Sequence, residues 1–153
     1  MLDVISSFFR PRVTAQSEQA DREHALRLAT AALLIEVVKA DFGVDEAELE
    51  ATLGVLAKEF ELDAQESEAL LELARVESEQ AVSLHEFTRL INDNYDAQSK
   101  ERVIELMWQI AYADGVKDKH EEHLIRKVAD LLYVPHVRFV KARHAAAEAA
   151  RRR

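Results

Sequence analysis

Carboxylates recur in this chain at a spacing that could hold a cation. The stretch "ADGVKDKHEEHL" (Ala113–Leu124) sets Asp114, Asp118 and Glu121 in the order D-x3-D-x2-E. The earlier stretch "ADFGVDEAEL" (Ala40–Leu49) sets Asp41, Asp45 and Glu48 the same way. Oxygen-only donors suit hard cations, so Ca²⁺ or Mg²⁺ is favoured and Zn²⁺ less so. The pattern is not an EF-hand, because D-x-[DN]-x-[DN]-G and the glutamate at position twelve are missing. The same acids also fit a plainer role. Asp45 and Glu48, like Asp118 and Glu121, stand at the capping-box interval, and acids there suit the helix dipole. Capping leaves Asp41 and Asp114 unexplained, since each closes a preceding helix, where negative charge is unfavourable. A bound ion or a base from another helix would compensate. Glu121 shares the helical face of Leu124, Ile125 and Val128, and a partly buried carboxylate must be paired, protonated or metal-bound. Metal binding and capping both remain open on these residues.

Other chemistry finds less support. His120 and His123 are three apart, whereas zinc proteases place two histidines four apart on a helix. They read as exposed side chains at an acidic helix start. His24, His85, His136 and His144 have no ligand spacing with one another. No serine sits in a nucleophile elbow, and three glycines in all build no phosphate-cradling loop. The reading is therefore non-catalytic, and a hydrolase using metal-bound water at the second turn is the remotest alternative. Trp108 and Tyr112, flanking that turn, read as core.

The elements that must position these acids are helices. Ala, Leu, Glu, Arg and Lys dominate, while Gly occurs 3 times and Pro 2 times. Apolar spacing predicts a long helix from about Glu18 to Ala40 (Leu26, Ala29, Leu33, Val37) and a second from Asp45 (Leu49, Leu53, Leu56, Phe60). A third begins at a capping box formed by Asp63 and Glu66, and a fourth at Ser83, with Glu86 completing a second box. After the loop "NDNYDAQ" a fifth runs from about Ser99 to Ala113 and a sixth from Asp118 to Leu132. Pro135, at a first helical position, opens a seventh that frays into "AAAEAARRR". The expectation is an all-α, single-domain bundle of about seven helices plus a short N-terminal one. At 153 residues one domain suffices. Residues 1–16 form the N-terminal amphipathic segment, 17–150 the helical domain and 151–153 a basic tail.

The bundle contains a duplicated helix–turn–helix unit. A shift of 73 residues aligns Leu33–Leu62 with Leu106–Pro135 without a gap, pairing Ala40 with Ala113, Val55 with Val128 and Phe60 with Tyr133. On "LLIEVVKADFGVDEAELEATL" and "LMWQIAYADGVKDKHEEHLIRKVADLL" the chain resembles the TerB-type tellurite-resistance family. The second copy is close to the family's "ADG-x3-D-x2-E" turn. The first departs from it, with Phe42 in the glycine's place and Gly43 one position later. The resemblance implies an all-helical fold, metal binding at the acidic turns and a role in bacterial stress-response assemblies, with no established reaction.

Charge bears on partners. Net charge is -9. From Asp41 to Glu86 fourteen acids face only Lys58 and Arg75, whereas from Val137 to Arg153 six bases face only Glu148. An acidic body argues against nucleic acid, which needs a basic face. It is a solvated surface or a docking face for a protein partner; in the latter case the acid triplets could be mere caps on a metal-independent scaffold. No stretch reaches the ~18 apolar residues of a membrane span. "MLDVISSFFRPR" lacks the features of a secretory signal. Its Leu2, Ile5, Phe8 and Phe9 line one side of a short helix, expected to pack on the domain; peripheral membrane contact through residues 2–9 is the alternative. The absence of cysteine suits a reducing, cytoplasmic setting. Nothing in the sequence fixes the oligomeric state.

Overall fold

The computed structural model describes residues 19–42, 46–75, 80–113 and 119–152. Seven α-helices take up nearly all of them: α1 (Gln19–Phe42), α2 (Glu46–Phe60), α3 (Ala64–Arg75), α4 (Gln80–Asn94), α5 (Ala97–Ala113), α6 (Lys119–Leu131) and α7 (His136–Arg151). No strand occurs among the described residues. The expected all-α bundle is therefore what forms, while the expected N-terminal helix within 1–16 lies outside the described residues.

Helix α1 is enclosed rather than striped. From Ala25 to Val37 every residue but Arg27 and Leu34 is buried. A helix apolar all round belongs at the centre of a domain, and α1 packs against α2, α3, α4 and α5. Ala25, Ala29, Ala31 and Ala32 keep its girth small enough for that. Thr30, buried among them, donates its hydroxyl to the Leu26 carbonyl at 2.7 Å, so no polar group is left unmet there. Helix α5 is the second hub. It buries Val103, Ile104, Leu106, Met107, Trp108 and Ala111 and packs on α1, α2, α6 and α7.

Helix ends show where local chemistry decided the boundary. The capping box at α3 is reciprocal: Asp63 Oδ1 accepts from the Glu66 amide at 2.8 Å, and Glu66 Oε1 accepts from the Asp63 amide at 3.0 Å. The second predicted box does not open a helix. Helix α4 begins at Gln80, which puts Ser83 inside the helix, because Gln80 and Ala81 are good helix formers and extend it backwards. Helix α5 starts at Ala97, with Asp96 Oδ1 accepting from the Ser99 amide at 2.8 Å. Pro135 is the cap of α7 (φ -61, ψ 149) rather than its first residue. Helix α7 also does not fray within the alanine run. It continues to Arg151, since alanine has the highest helix propensity and Ala142 and Ala146 are buried.

Two helices end in the left-handed conformation without glycine. Glu61 (φ 55) follows α2, and Leu62 donates back to the Ala57 carbonyl at 3.0 Å. Tyr133 (φ 59) follows α6, and Val134 donates to the Ala129 carbonyl at 2.9 Å while Tyr133 donates to Asp130 at 3.1 Å. Both are Schellman-type ends. They also correct the repeat. Glu61 and Tyr133 are equivalent by conformation, which is a shift of 72 and not 73. Phe60 is wholly buried whereas Tyr133, its partner by sequence, is 79% exposed. The buried pairs are Leu56 with Val128 and Phe60 with Leu132. The gapless sequence alignment thus slips by one residue in the second helix, because the inward face sets the equivalence.

Asn92 joins three helices. Its Nδ2 donates to the Leu131 carbonyl at the end of α6 (3.0 Å), and its Oδ1 accepts from Lys100 Nζ on α5 (3.2 Å). Gly54 stands mid-way along α2, exposed, with nothing within 4 Å of where a Cβ would lie. In urea unfolding, Gly54→Ala should therefore stabilise the fold by about 0.5–1 kcal/mol, whereas Asp63→Ala should destabilise it by about 1 kcal/mol.

Candidate functional site

The two acidic turns sit at equivalent junctions of the duplicated unit. Asp41 lies in the last turn of α1 and Glu48 in the first turn of α2; Glu121 lies in the first turn of α6. Asp45, Asp114 and Asp118 fall outside the described residues, as do the side chains of the other three acids and of His120. Among the described residues no group of three or more His, Asp or Glu side chains could hold a metal ion.

A set of contacts among α5, α6 and α7 anchors the start of α6. Trp108 of α5 is 3% exposed. The Arg143 guanidinium of α7 lies over its ring at 5.0 Å, and Phe139 meets it edge-on at 5.9 Å. Arg143 Nη1 also donates to Glu122 Oε1 at 2.8 Å, tying the first turn of α6 to α7. Arg126 adds a longer contact to Glu122 at 3.8 Å and lies over Phe139 at 5.3 Å. Glu122, which no sequence argument singled out, thus has a structural task. His123 is exposed, as expected. Trp108 Nε1 is buried without a hydrogen-bond partner. The tryptophan is core, in line with its expected role, and Tyr112 beside it is half-buried.

Two further residues escaped the sequence reading. Glu36 is 2% exposed in α1, the one charged side chain in the described core. Its signal was visible as a single acid inside the apolar run "LLIEVV". His24, which has no ligand spacing, instead pairs through Nε2 with Glu66 Oε2 at 2.7 Å. Glu66 therefore caps α3 with one oxygen and holds α1 with the other.

A shallow groove of about 210 Å³ runs along α5 toward the second turn, with Arg102, Glu105, Gln109 and Tyr112 on one wall and Ala146 and Ala150 of α7 on the other. Its basic group is already engaged. Arg102 donates to both oxygens of Glu23 (3.0 and 2.8 Å) and pairs with Glu105 at 2.9 Å. No serine, threonine, cysteine, lysine or histidine lines it.

The comparisons with known proteins agree with this architecture. The family described as tellurite resistance protein TerB matches residues 27–144, which is most of the chain. The chain belongs to the TerB family. No curated protein and no solved structure matches it. The matched span opens within α1 and closes within α7, so the TerB unit comprises the two hubs, both acidic turns and the Trp108 contacts.

The Glu23–Arg102 pair makes this TerB bundle sensitive to acid. Burial opposes ionisation of Glu23, but the Arg102 guanidinium and then Arg27 outweigh it and hold the carboxyl below its ordinary value of 4.5. A carboxyl lowered on folding adds stability that is fully present above the unfolded value and is lost as pH falls through the folded one. Glu23→Gln should cost about 1–2 kcal/mol at pH 7. In urea titrations the difference from the parent should shrink as pH falls below about 4.

Proposed function

We propose that this TerB-family chain is a non-catalytic helical module of the cytoplasm that binds a divalent cation at one or both acidic turns. It acts through protein partners in a stress response of the tellurite-resistance type. The observation that carries the reading is the repetition of D-x3-D-x2-E at both junctions, Asp41–Asp45–Glu48 and Asp114–Asp118–Glu121, in a chain of this family. The donor chemistry fits a hard cation: carboxylate oxygens only, carried by adjoining helix ends, which would take Ca²⁺ or Mg²⁺ in preference to Zn²⁺. Asp41 supports it further. Its backbone lies in the last turn of α1, where an acid opposes the helix dipole and gains from a positive charge.

A metal-independent scaffold is the second reading, favoured by the positions of Glu48 and Glu121 in first helical turns, where an acid is stabilising without any ion. The exposed acids Glu50, Glu61, Asp63, Glu68 and Glu72 would then form the docking face.

Calorimetric titration of chelator-treated protein with Ca²⁺, Mg²⁺ and Zn²⁺ separates the two. Cation binding tighter than about 1 mM, weakened at least tenfold in the Asp114→Ala/Asp118→Ala variant, is the expected result. Bound cation should also raise stability, by about 2.7 kcal/mol at a hundredfold excess over Kd. No heat and no change in unfolding with any of the three ions would leave the scaffold reading in place.

A further inference from the structure

The large apolar side chains exposed among the described residues are close in sequence. They are Tyr133 (79%) in the turn before α7, and Val137 (75%) and Val140 (49%) in the first two turns of α7. Val137, Val140, Lys141 and His144 follow i, i+3, i+4, i+7 and so share one helical face, all of them exposed. Tyr133 holds a left-handed backbone that favours glycine, and its ring gains little burial in return. Lys141, beside the valines, gives this strip a basic rim.

A complementary strip lies on α2. Ala47, Ala51, Gly54 and Lys58 follow i, i+4, i+7, i+11, and all four are exposed, with Glu50 alongside. This face is smooth around Ala51 and Gly54, with Glu50 on its rim and Lys58 at its far end. Gly54 weakens the middle of a helix, yet nothing in the fold approaches its Cβ position, so no packing within the chain requires the missing side chain. A glycine in such a place lets another backbone or a bulky side chain come close.

We propose that a second copy of this chain covers the strip: Val137 and Val140 of one copy seat over Ala51 and Gly54 of the next, with Lys141 facing Glu50. Apolar knobs meet small residues and a basic rim meets an acidic one. The two faces differ, so the contact is head-to-tail and a pair keeps one free face of each kind, one on each copy. The charge distribution supports a copy of the chain as the occupant, since acids crowd residues 41–86 and bases crowd residues 137–153 of the same molecule.

Sedimentation velocity on the full chain tests this. The average mass should rise above the monomer's 17.4 kDa as concentration increases toward about 1 mM. The rise should be weaker at about 0.5 M salt than at 0.05 M. Gly54→Leu blocks α2 and Val137→Glu/Val140→Glu blocks α7; each alters exposed positions only, and circular dichroism should match the parent. Each alone should stay monomeric. Mixed, they should form a dimer and nothing larger, because one intact face of each kind remains. A parent that stays monomeric throughout overturns the proposal, as does association that either variant retains or a mixture that fails to pair. A monomer that instead binds vesicles of anionic phospholipid through Val137 and Val140 would assign the strip to a membrane surface and equally overturn it.

Discussion

Everything in this bundle depends on enclosing α1. A helix with almost no solvent face must be narrow, must satisfy its own polar groups and must meet a neighbour on every side. The alanines at 25, 29, 31 and 32 supply the first, Thr30 bonding to Leu26 answers the second, and contacts with α2 to α5 meet the third. The charged pairs at its exposed end then fix its angle. Arg102 grips both oxygens of Glu23, Arg27 reaches Glu23 at 3.3 Å and Glu61 at 3.7 Å, and His24 holds Glu66. Because α1 ends at Phe42 and α2 begins at Glu46, the first acidic turn is a short junction leaving this enclosed helix.

Much of this was legible from spacing, and the failures have physical causes. The helices and the Asp63–Glu66 box follow from local patterns that the fold reinforces. The Ser83–Glu86 pair has the same pattern but sits within a helix, since a capping signature cannot forbid good helix formers upstream from extending the turn. Enclosure of α1 was not visible because alanine-rich runs satisfy a stripe and a full sheath equally well. Pairing Phe60 with Tyr133 followed residue type, whereas burial pairs Phe60 with Leu132; aromatic identity says nothing about which face a side chain takes. Of the candidate site, the acids and their junctions could be read, but convergence of their oxygens on one point depends on side-chain placement that spacing does not encode.

The duplicated unit is also used unequally. In the first copy the helix leaving the turn, α2, ends at Phe60, and Glu61 just beyond it reaches back to Arg27 on α1. In the second copy α6 is gripped at both ends by other helices: Glu122 by Arg143 of α7, and the Leu131 carbonyl by Asn92 of α4. Helix α6 is thus held by elements outside the repeat, α4 and α7. The TerB match over residues 27–144 covers both copies together with α4 and most of α7, which hold the second.

Trp108 gives the molecule an optical consequence. It is the chain's single tryptophan, buried in α5 beneath the Arg143 guanidinium, and that same guanidinium holds the first turn of α6 through Glu122. Emission from an indole is sensitive to nearby charge and to water. Any event that draws the start of α6 toward or away from α7 would shift Arg143 across the ring, so the intrinsic fluorescence of the unlabelled protein would report on the start of α6.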